Sequence, residues 1–225
     1  MSGSRHGPEG VAVWAAFDFD GTLRRGDSLV GFLRDLLGPA SLGAALACEA
    51  PWLLGYAAGW VGNDVAKQRL LRRCLRGQPL ARLQQAGQRF AVEKLPRGLR
   101  APMIDRLRAH QAAGHHCVLV TASPSLYTAP WAHAMGFRAS IGTELEFDPE
   151  GRASGRFDGL NCWGPEKARR LRELLGGQAL DYAYGDTRGD REMLAMARRG
   201  WLVGRGNGWG ERLPSLERSP RPDGS

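Results

Sequence analysis

Closely spaced cysteines are missing from this 225-residue chain: Cys48, Cys74, Cys117 and Cys162 lie far apart, with no C-x-x-C pair. That scatter excludes a disulfide-stapled scaffold and a cysteine-ligated zinc centre, and predicts free thiols in a reducing cytosol. The five histidines, including adjacent His115 and His116, also lack metal-ligand spacing and are expected at surface or loop positions. No secretory leader pattern opens the chain, because the first nine residues are polar, so a cytoplasmic location is expected. The formal charge of +8 comes without a recognisable binding motif, which argues against nucleic acid as a partner. At 43% hydrophobic and 24% charged, the composition is that of a globular protein, not of a disordered or fibrous one.

What is present is concentrated at the ends of apolar runs. The run from Val11 to Ala16 leads into Phe17-Asp18-Phe19-Asp20-Gly21-Thr22-Leu23. Side chains alternate along a strand, so Asp18 and Asp20 emerge on one side, where one carboxylate can attack while the other handles protons. Gly21 and Thr22 then turn the chain and leave backbone N–H groups free to face an anion. By itself such a pair also suits a turn or a helix cap.

Three further segments carry matching chemistry. Cys117-Val118-Leu119-Val120 reads as a buried strand ending in Thr121-Ala122-Ser123-Pro124, whose hydroxyls and amides suit a phosphate, with Pro124 fitted to a first helical turn. Gly164-Pro165-Glu166-Lys167 starts a helix with Lys167, a compact cation for a phosphoryl group, on its first turn. Leu180 to Gly185 reads as another strand, followed by Asp186 and Asp190, hard oxygen donors suited to Mg²⁺.

In this order, each at a strand or helix boundary, the four segments resemble the haloacid dehalogenase-like superfamily of aspartate-nucleophile phosphatases. The resemblance runs from Asp18 to Asp190. It implies that Asp18 is the nucleophile forming an aspartyl-phosphate and Asp20 the general acid and base. It implies phosphate binding by Thr121, with Ala122 and Ser123, and neutralisation of nucleophile and phosphate by Lys167. For the Mg²⁺ site it implies the Asp18 carboxylate, the Asp20 carbonyl oxygen and Asp186, supported by Asp190. Dehalogenases of the family lack the second aspartate, and its transport ATPases carry Lys-Thr there, so Asp20 points to a phosphatase.

Strand signals at 11–19, 116–121, 140–143, 182–185 and 201–203, with helical patterns between most of them, predict an α/β fold. The expected core is a Rossmann-like parallel sheet with helices on both faces, formed by residues 1–27 and 96–204. Residues 143–158 read as a hairpin excursion around Asp148-Pro149-Glu150-Gly151. Residues 205–225, rich in Gly, Pro, Ser and Arg, read as a flexible tail. The excess of chain between the first two strands is helical in pattern at 29–37, 42–61, 64–75 and 80–94, and predicts an all-helical cap over 28–95. A cap inserted there resembles the subfamily of phosphoserine phosphatases, histidinol-phosphate phosphatases and bacterial phosphatidylglycerophosphate phosphatases. Caps of this type exclude water and choose the leaving group.

Within the cap, residues 42–61 are apolar except for Glu49 and are interrupted by Pro51. A central charge costs about 2.5–3.5 kcal/mol on insertion scales and proline breaks the helical ladder, which argues against a full span. Two buried helices meeting at Pro51, or an interfacial hairpin dipping into lipid, remain. Trp52, Tyr56 and Trp60 recur at helical spacing and suit either. Lys67, Arg69, Arg72, Arg73 and Arg76 follow, a cluster that reads either as attraction to anionic lipid or as a solvated face. Asp27, Lys67 and Arg69 are candidate substrate contacts.

Phosphoserine phosphatases generally carry Glu where Asp27 stands and Asn where Gly189 stands. The apolar cap segment, Thr121-Ala122-Ser123-Pro124 and the closing Trp201-Leu202-Val203-Gly204-Arg205 resemble the phosphatidylglycerophosphate branch more. The expected function is thus Mg²⁺-dependent phosphomonoester hydrolysis leaning to a phospholipid head group, with peripheral association at the cytoplasmic face of a membrane. The alternatives are a soluble phosphatase of phosphoserine, histidinol phosphate or another small phosphorylated molecule, and a non-catalytic phosphate- or lipid-binding module.

Overall fold

A computed structural model describes residues 12–204. The expected tail at 205–225 and the first residue of the 11–19 strand lie outside them. Five strands form one parallel sheet: β1 (Trp14–Phe17), β2 (His116–Pro124), β3 (Ala139–Thr143), β6 (Leu180–Gly185) and β7 (Ala197–Leu202), in the order β3-β2-β1-β6-β7. A separate antiparallel hairpin, β4 (Leu145–Phe147) with β5 (Ala153–Phe157), occupies the predicted excursion.

Strict alternation explains the layering. Ala15, Phe17, Cys117, Leu119, Tyr182 and Tyr184 belong to one apolar cluster, with α5 (Ala101–Ala112) and α6 (Ser125–Ala134) against it. Trp14, Ala16, Val118, Val120 and Ala183 belong to the other, with α7 (Pro165–Leu175) and α8 (Arg191–Met196). Strands covered on both faces read as continuous apolar runs, as these do. With β2 on one side of β1 and β6 on the other, the connections diverge beside β1, and a crevice opens at the carboxyl ends of these three strands.

Four helices lie between β1 and α5: α1 (Ser28–Leu37), α2 (Pro39–Ala57), α3 (Asn63–Leu75) and α4 (Leu80–Glu93). Phe32, Leu33, Leu70, Leu71, Leu83 and Phe90 from α1, α3 and α4 join the same cluster as Phe17 and Tyr184, so the insert and one face of the sheet share a continuous apolar core. Gly87 of α4 permits this contact, since a Cβ there would lie 2.5 Å from the Leu126 carbonyl oxygen.

Several expectations need correction. Residues 39–57 form a single helix that runs through Pro51, not two helices meeting there. Nor is that helix a packed interior, because only Leu42, Ala45 and Glu49 of it are buried. Glu49 receives hydrogen bonds from Arg69 Nε (2.8 Å) and Arg73 Nε (2.7 Å), a stabilising arrangement for a carboxylate only 3% exposed. His110 and His115 are buried, not surface residues: their Nδ1 atoms lie 2.8 Å apart and His110 Nε2 pairs with Tyr184 Oη at 2.9 Å. Burial pushes His110 down to about 3, so it stays neutral. The last strand begins at Ala197, earlier than its β-propensity indicates, because Ala197-Arg198-Arg199-Gly200 pairs along β6 as an edge.

Candidate active site

Each charged group of the crevice is set by a strand or helix end. Asp18 follows β1, and its N–H donates to the Tyr184 carbonyl of β6 at 2.9 Å, which carries the strand's alignment one residue further. The Asp18 carboxylate is buried; Thr22 Oγ1 donates to Oδ2 at 3.0 Å and Lys167 Nζ donates to Oδ1 at 2.5 Å. Lys167 stands on the first turn of α7, which Pro165 opens, and donates a second bond, 2.6 Å, to Asp190 Oδ1. The other Asp190 oxygen accepts from the Asp186 and Thr187 N–H groups and from Thr187 Oγ1, closing the loop after β6 into a capping box.

These contacts fix the protonation states. Burial raises the Asp18 carboxyl, Lys167 pulls it back, and Asp190 and Asp186 raise it again, to about 7. For Lys167, burial works against the ammonium, but Asp18 and Asp190 outweigh it and hold the value well above an ordinary lysine. Burial, then the charge of Asp27, pushes Asp20 up to about 6. Asp20 Oδ1 accepts from the Ser28 N–H (2.9 Å), and Oδ2 from Ser28 Oγ and Ser123 Oγ (2.6 Å each).

Carboxylate oxygens of Asp18, Asp186 and Asp190 lie within 4.8 Å of one another. Three such groups beside a single lysine leave an excess of negative charge, and an all-oxygen donor set of this kind fits Mg²⁺. Gly21 shapes the cradle. Its φ of +86° and its closeness to Asp186 admit no side chain, since a Cβ would fall 1.9 Å from Asp186 Oδ2. Gly21→Ala should therefore displace the Asp186 carboxylate and weaken metal binding at least about tenfold, as for loss of ligand support. Titration of Mg²⁺ by calorimetry checks this; unchanged affinity with an unchanged fold would refute it.

The sequence-predicted residues separate into those the fold gathers and those it does not. Asp18, Asp20, Thr121, Ala122, Ser123, Lys167 and Asp186 all line one cavity of about 790 Å³, and Asp190 stands behind Lys167. Thr121 Oγ1 accepts from the Ser123 N–H at 3.0 Å, and the Ala122 carbonyl accepts from Lys67 Nζ and Thr143 Oγ1. Lys67 and Asp27 also line the cavity; Asp27 doubles as N-cap of α1, accepting from the Val30 N–H. Pro124 is the residue before α6 and not in its first turn. Arg69 does not line the cavity, correcting its expected substrate contact, because Glu49 and the Trp52 ring (4.2 Å) hold it.

The basic cluster of α3 also divides. Lys67 faces the cavity and Arg69 and Arg73 hold Glu49, while Arg72 and Arg76 line a smaller cleft against the β4–β5 hairpin. The cluster is thus a solvated face only in part: Arg72, Arg73 and Arg76 are exposed, and Lys67 is turned inward.

Sequence reasoning missed the residues that orient the motifs. Ser28 and the buried Tyr127, 3.2 Å from Ser28 Oγ, complete the surroundings of Asp20. Arg100 donates to the Gly21 carbonyl and, at 2.6 Å, to that of Gly204, tying the turn after β1 to the end of the described chain. Asn161 joins Thr143 of the core to Asn63 and Asp64 of α3. Only Ser28, directly after an N-cap aspartate, carried a local signal.

The cavity also has an apolar wall, Leu29, Val30, Leu46, Leu53, Ala66 and Leu70 of α1–α3, while Tyr56, Asn63, Trp163, Thr187 and Arg188 complete the lining.

A family model described as haloacid dehalogenase-like hydrolase matches residues 15–195. Protein CicA of Caulobacter vibrioides is 39% identical over 193 residues, 85% of this chain and 86% of that one. A solved structure from Bordetella pertussis Tohama I, of a protein with unknown function, matches with a TM-score of 0.69 at 28% identity, over 82% of this chain and 86% of that one. A substrate-bound phosphoserine phosphatase matches with a TM-score of 0.60 at 14% identity over 83% of each chain, a likeness of fold alone.

Proposed function

Because the chain belongs to the haloacid dehalogenase-like hydrolases, we propose that it is a Mg²⁺-dependent phosphomonoesterase working through an aspartyl-phosphate on Asp18. The observation that carries this is the buried Lys167 shared by Asp18 and Asp190, with Asp186 beside them at the head of the cavity. A phosphate dianion repels a carboxylate, so attack by Asp18 needs compensating positive charge. Mg²⁺, when bound by the Asp18 and Asp186 carboxylates and the Asp20 carbonyl, with Asp190 in support, supplies that charge at the phosphoryl oxygens.

The chain's own residues do the rest. In the first step an Asp18 oxygen bonds to phosphorus while the ester P–O bond breaks, and the protonated Asp20 gives its proton to the leaving oxygen. In the second step Asp20 takes a proton from water, whose oxygen bonds to phosphorus as the Asp18–phosphorus bond breaks, releasing phosphate. A value near 6 lets Asp20 serve as acid and then as base close to neutral pH. Ser28 and Ser123 hold its carboxyl in place. Lys167 and the Thr121 hydroxyl take the phosphate.

For the leaving group, the apolar wall of α1–α3 favours a lipid monoester such as phosphatidylglycerophosphate over a zwitterionic amino-acid phosphate. In this reading α1–α4 act as the cap, and Lys67 and Asp27 meet the polar part of the leaving group. The test is Mg²⁺-dependent phosphate release from phosphatidylglycerophosphate in mixed micelles, run beside phosphoserine and histidinol phosphate. Preference for the lipid is expected. Preference for either soluble ester would overturn the lipid assignment, and release from none of the three nor from the generic ester p-nitrophenyl phosphate would overturn the phosphomonoesterase reading.

A further inference from the structure

Helix α2 turns toward solvent a face that carries no charged residue. Ala40, Ala44, Ala47, Pro51, Leu54 and Ala58 recur every three or four positions, which puts them on one side, and all are exposed, Leu54 at 69%. The helix has one charged side chain, Glu49, and it points away from that face into the arginines of α3. Beyond its last turn Trp60 stands 87% exposed. Leu46, Leu53 and Tyr56, from the opposite side of the same helix, line the cavity. Surface helices ordinarily carry polar residues outward, and an apolar face of this length marks an interaction surface.

We propose that α2 lies in the plane of an anionic lipid bilayer, its outer face and Trp60 at headgroup depth and the anionic headgroups drawn by the chain's net charge of +8. Charge selects a bilayer over a second copy. Arg72, Arg73 and Arg76 are exposed, Glu49 neutralises only one of the two arginines it holds, and the chain carries +8, so two copies would repel. A lipid surface offers an apolar layer and negative charge together, and each basic residue near it contributes about 1 kcal/mol. No helix among the described residues is long and apolar enough to cross a membrane, which fits a helix lying along the surface. Docked this way, the apolar wall of the cavity sits one helix away from the lipid tails. The proposal depends on the phosphomonoesterase reading only for the route it gives a lipid substrate.

Flotation of the full chain with vesicles of phosphatidylglycerol and phosphatidylcholine, against phosphatidylcholine alone, tests it without turnover. The variant Leu54→Glu/Trp60→Ser alters two exposed side chains outside the cavity, and a circular dichroism spectrum and thermal melt matching wild type report that it folds. Flotation with the anionic vesicles is expected, weakening with salt and falling roughly tenfold or more in the variant, since a glutamate must leave the interface. Absence of flotation, or equal flotation of the variant, overturns the proposal. So does a dimer in light scattering that the variant dissociates, which would assign the face to a second copy. Lost turnover with vesicle binding intact would strike the phosphatase reading and leave this one standing.

Discussion

Asp18→Asn is expected to lower turnover by about 10⁴-fold or more, the scale seen when a covalent nucleophile is removed. The amide keeps the shape of the side chain and the Thr22 contact, so the fold should persist. The stability of the wild-type protein should respond to pH in a defined direction. The folded value of Asp18, about 7, lies above its unfolded value, so whatever the neutral carboxyl contributes is present at low pH and is lost as pH rises through 7. Without metal, wild-type stability should therefore fall between about pH 4 and 7 by an increment that the Asn variant lacks. Thermal melts of both proteins in chelator at pH 5 and pH 8 measure it. Turnover within tenfold of wild type would end the covalent mechanism, and an equal pH response in both proteins would deny the raised carboxyl.

Lys167→Met should be more damaging to the protein as well as to catalysis. Lys167 is 2% exposed and donates hydrogen bonds to Asp18 and Asp190, both buried. Removing the cation leaves two carboxylates facing each other without compensation, a loss of about 3–5 kcal/mol for a broken buried pair. In a chain of 225 residues that lowers Tm by roughly 6–20 °C. Protonation of the stranded carboxylates should lessen the difference at acid pH. Phosphate release should fall to the level of the Asp18→Asn blank, and Lys167→Arg should not restore it, because a planar fork does not fit between two carboxylates spaced for one ammonium. Melting in chelator and phosphate release in Mg²⁺ separate the two effects; a variant as stable as wild type would mean that Lys167 is not the partner its geometry makes it.

The parts legible in the sequence are those fixed by short-range rules. Continuous apolar runs at 14–17, 117–120 and 182–185 announced strands buried on both faces, and a parallel sheet of such strands brings Asp18, Thr121 and Asp186 together. Pro165 marked the start of the helix that carries Lys167. The parts that were hidden depend on partners far along the chain. Glu49 looked like a charge stranded in an apolar run until Arg69 and Arg73, 20 and 24 residues later, came to meet it. Pro51 looked like a break, yet a proline on the solvent side of a helix costs one hydrogen bond without disturbing what packs beneath. His110 and His115 looked like surface residues because nothing local indicates that Tyr184 will meet the first and Tyr182 stack on the second. Arg69 looked like a substrate contact because its charge was visible and its direction was not.

The apolar cluster that runs from Phe17 and Tyr184 through Leu71 to Phe90 bears on how far this architecture is modular. An insert joined to its host only by two connections could be exchanged for another as a cassette. Here the sheet's own covering layer is made partly of the insert, so excision would uncover large side chains that the remaining chain has nothing to place over. Evolution or design could change the cavity wall at Leu46, Leu53 or Leu70 one residue at a time. Wholesale transplantation would have to bring the buried underside along with the outer surface, so specificity in this chain is altered by substitution more readily than by recombination.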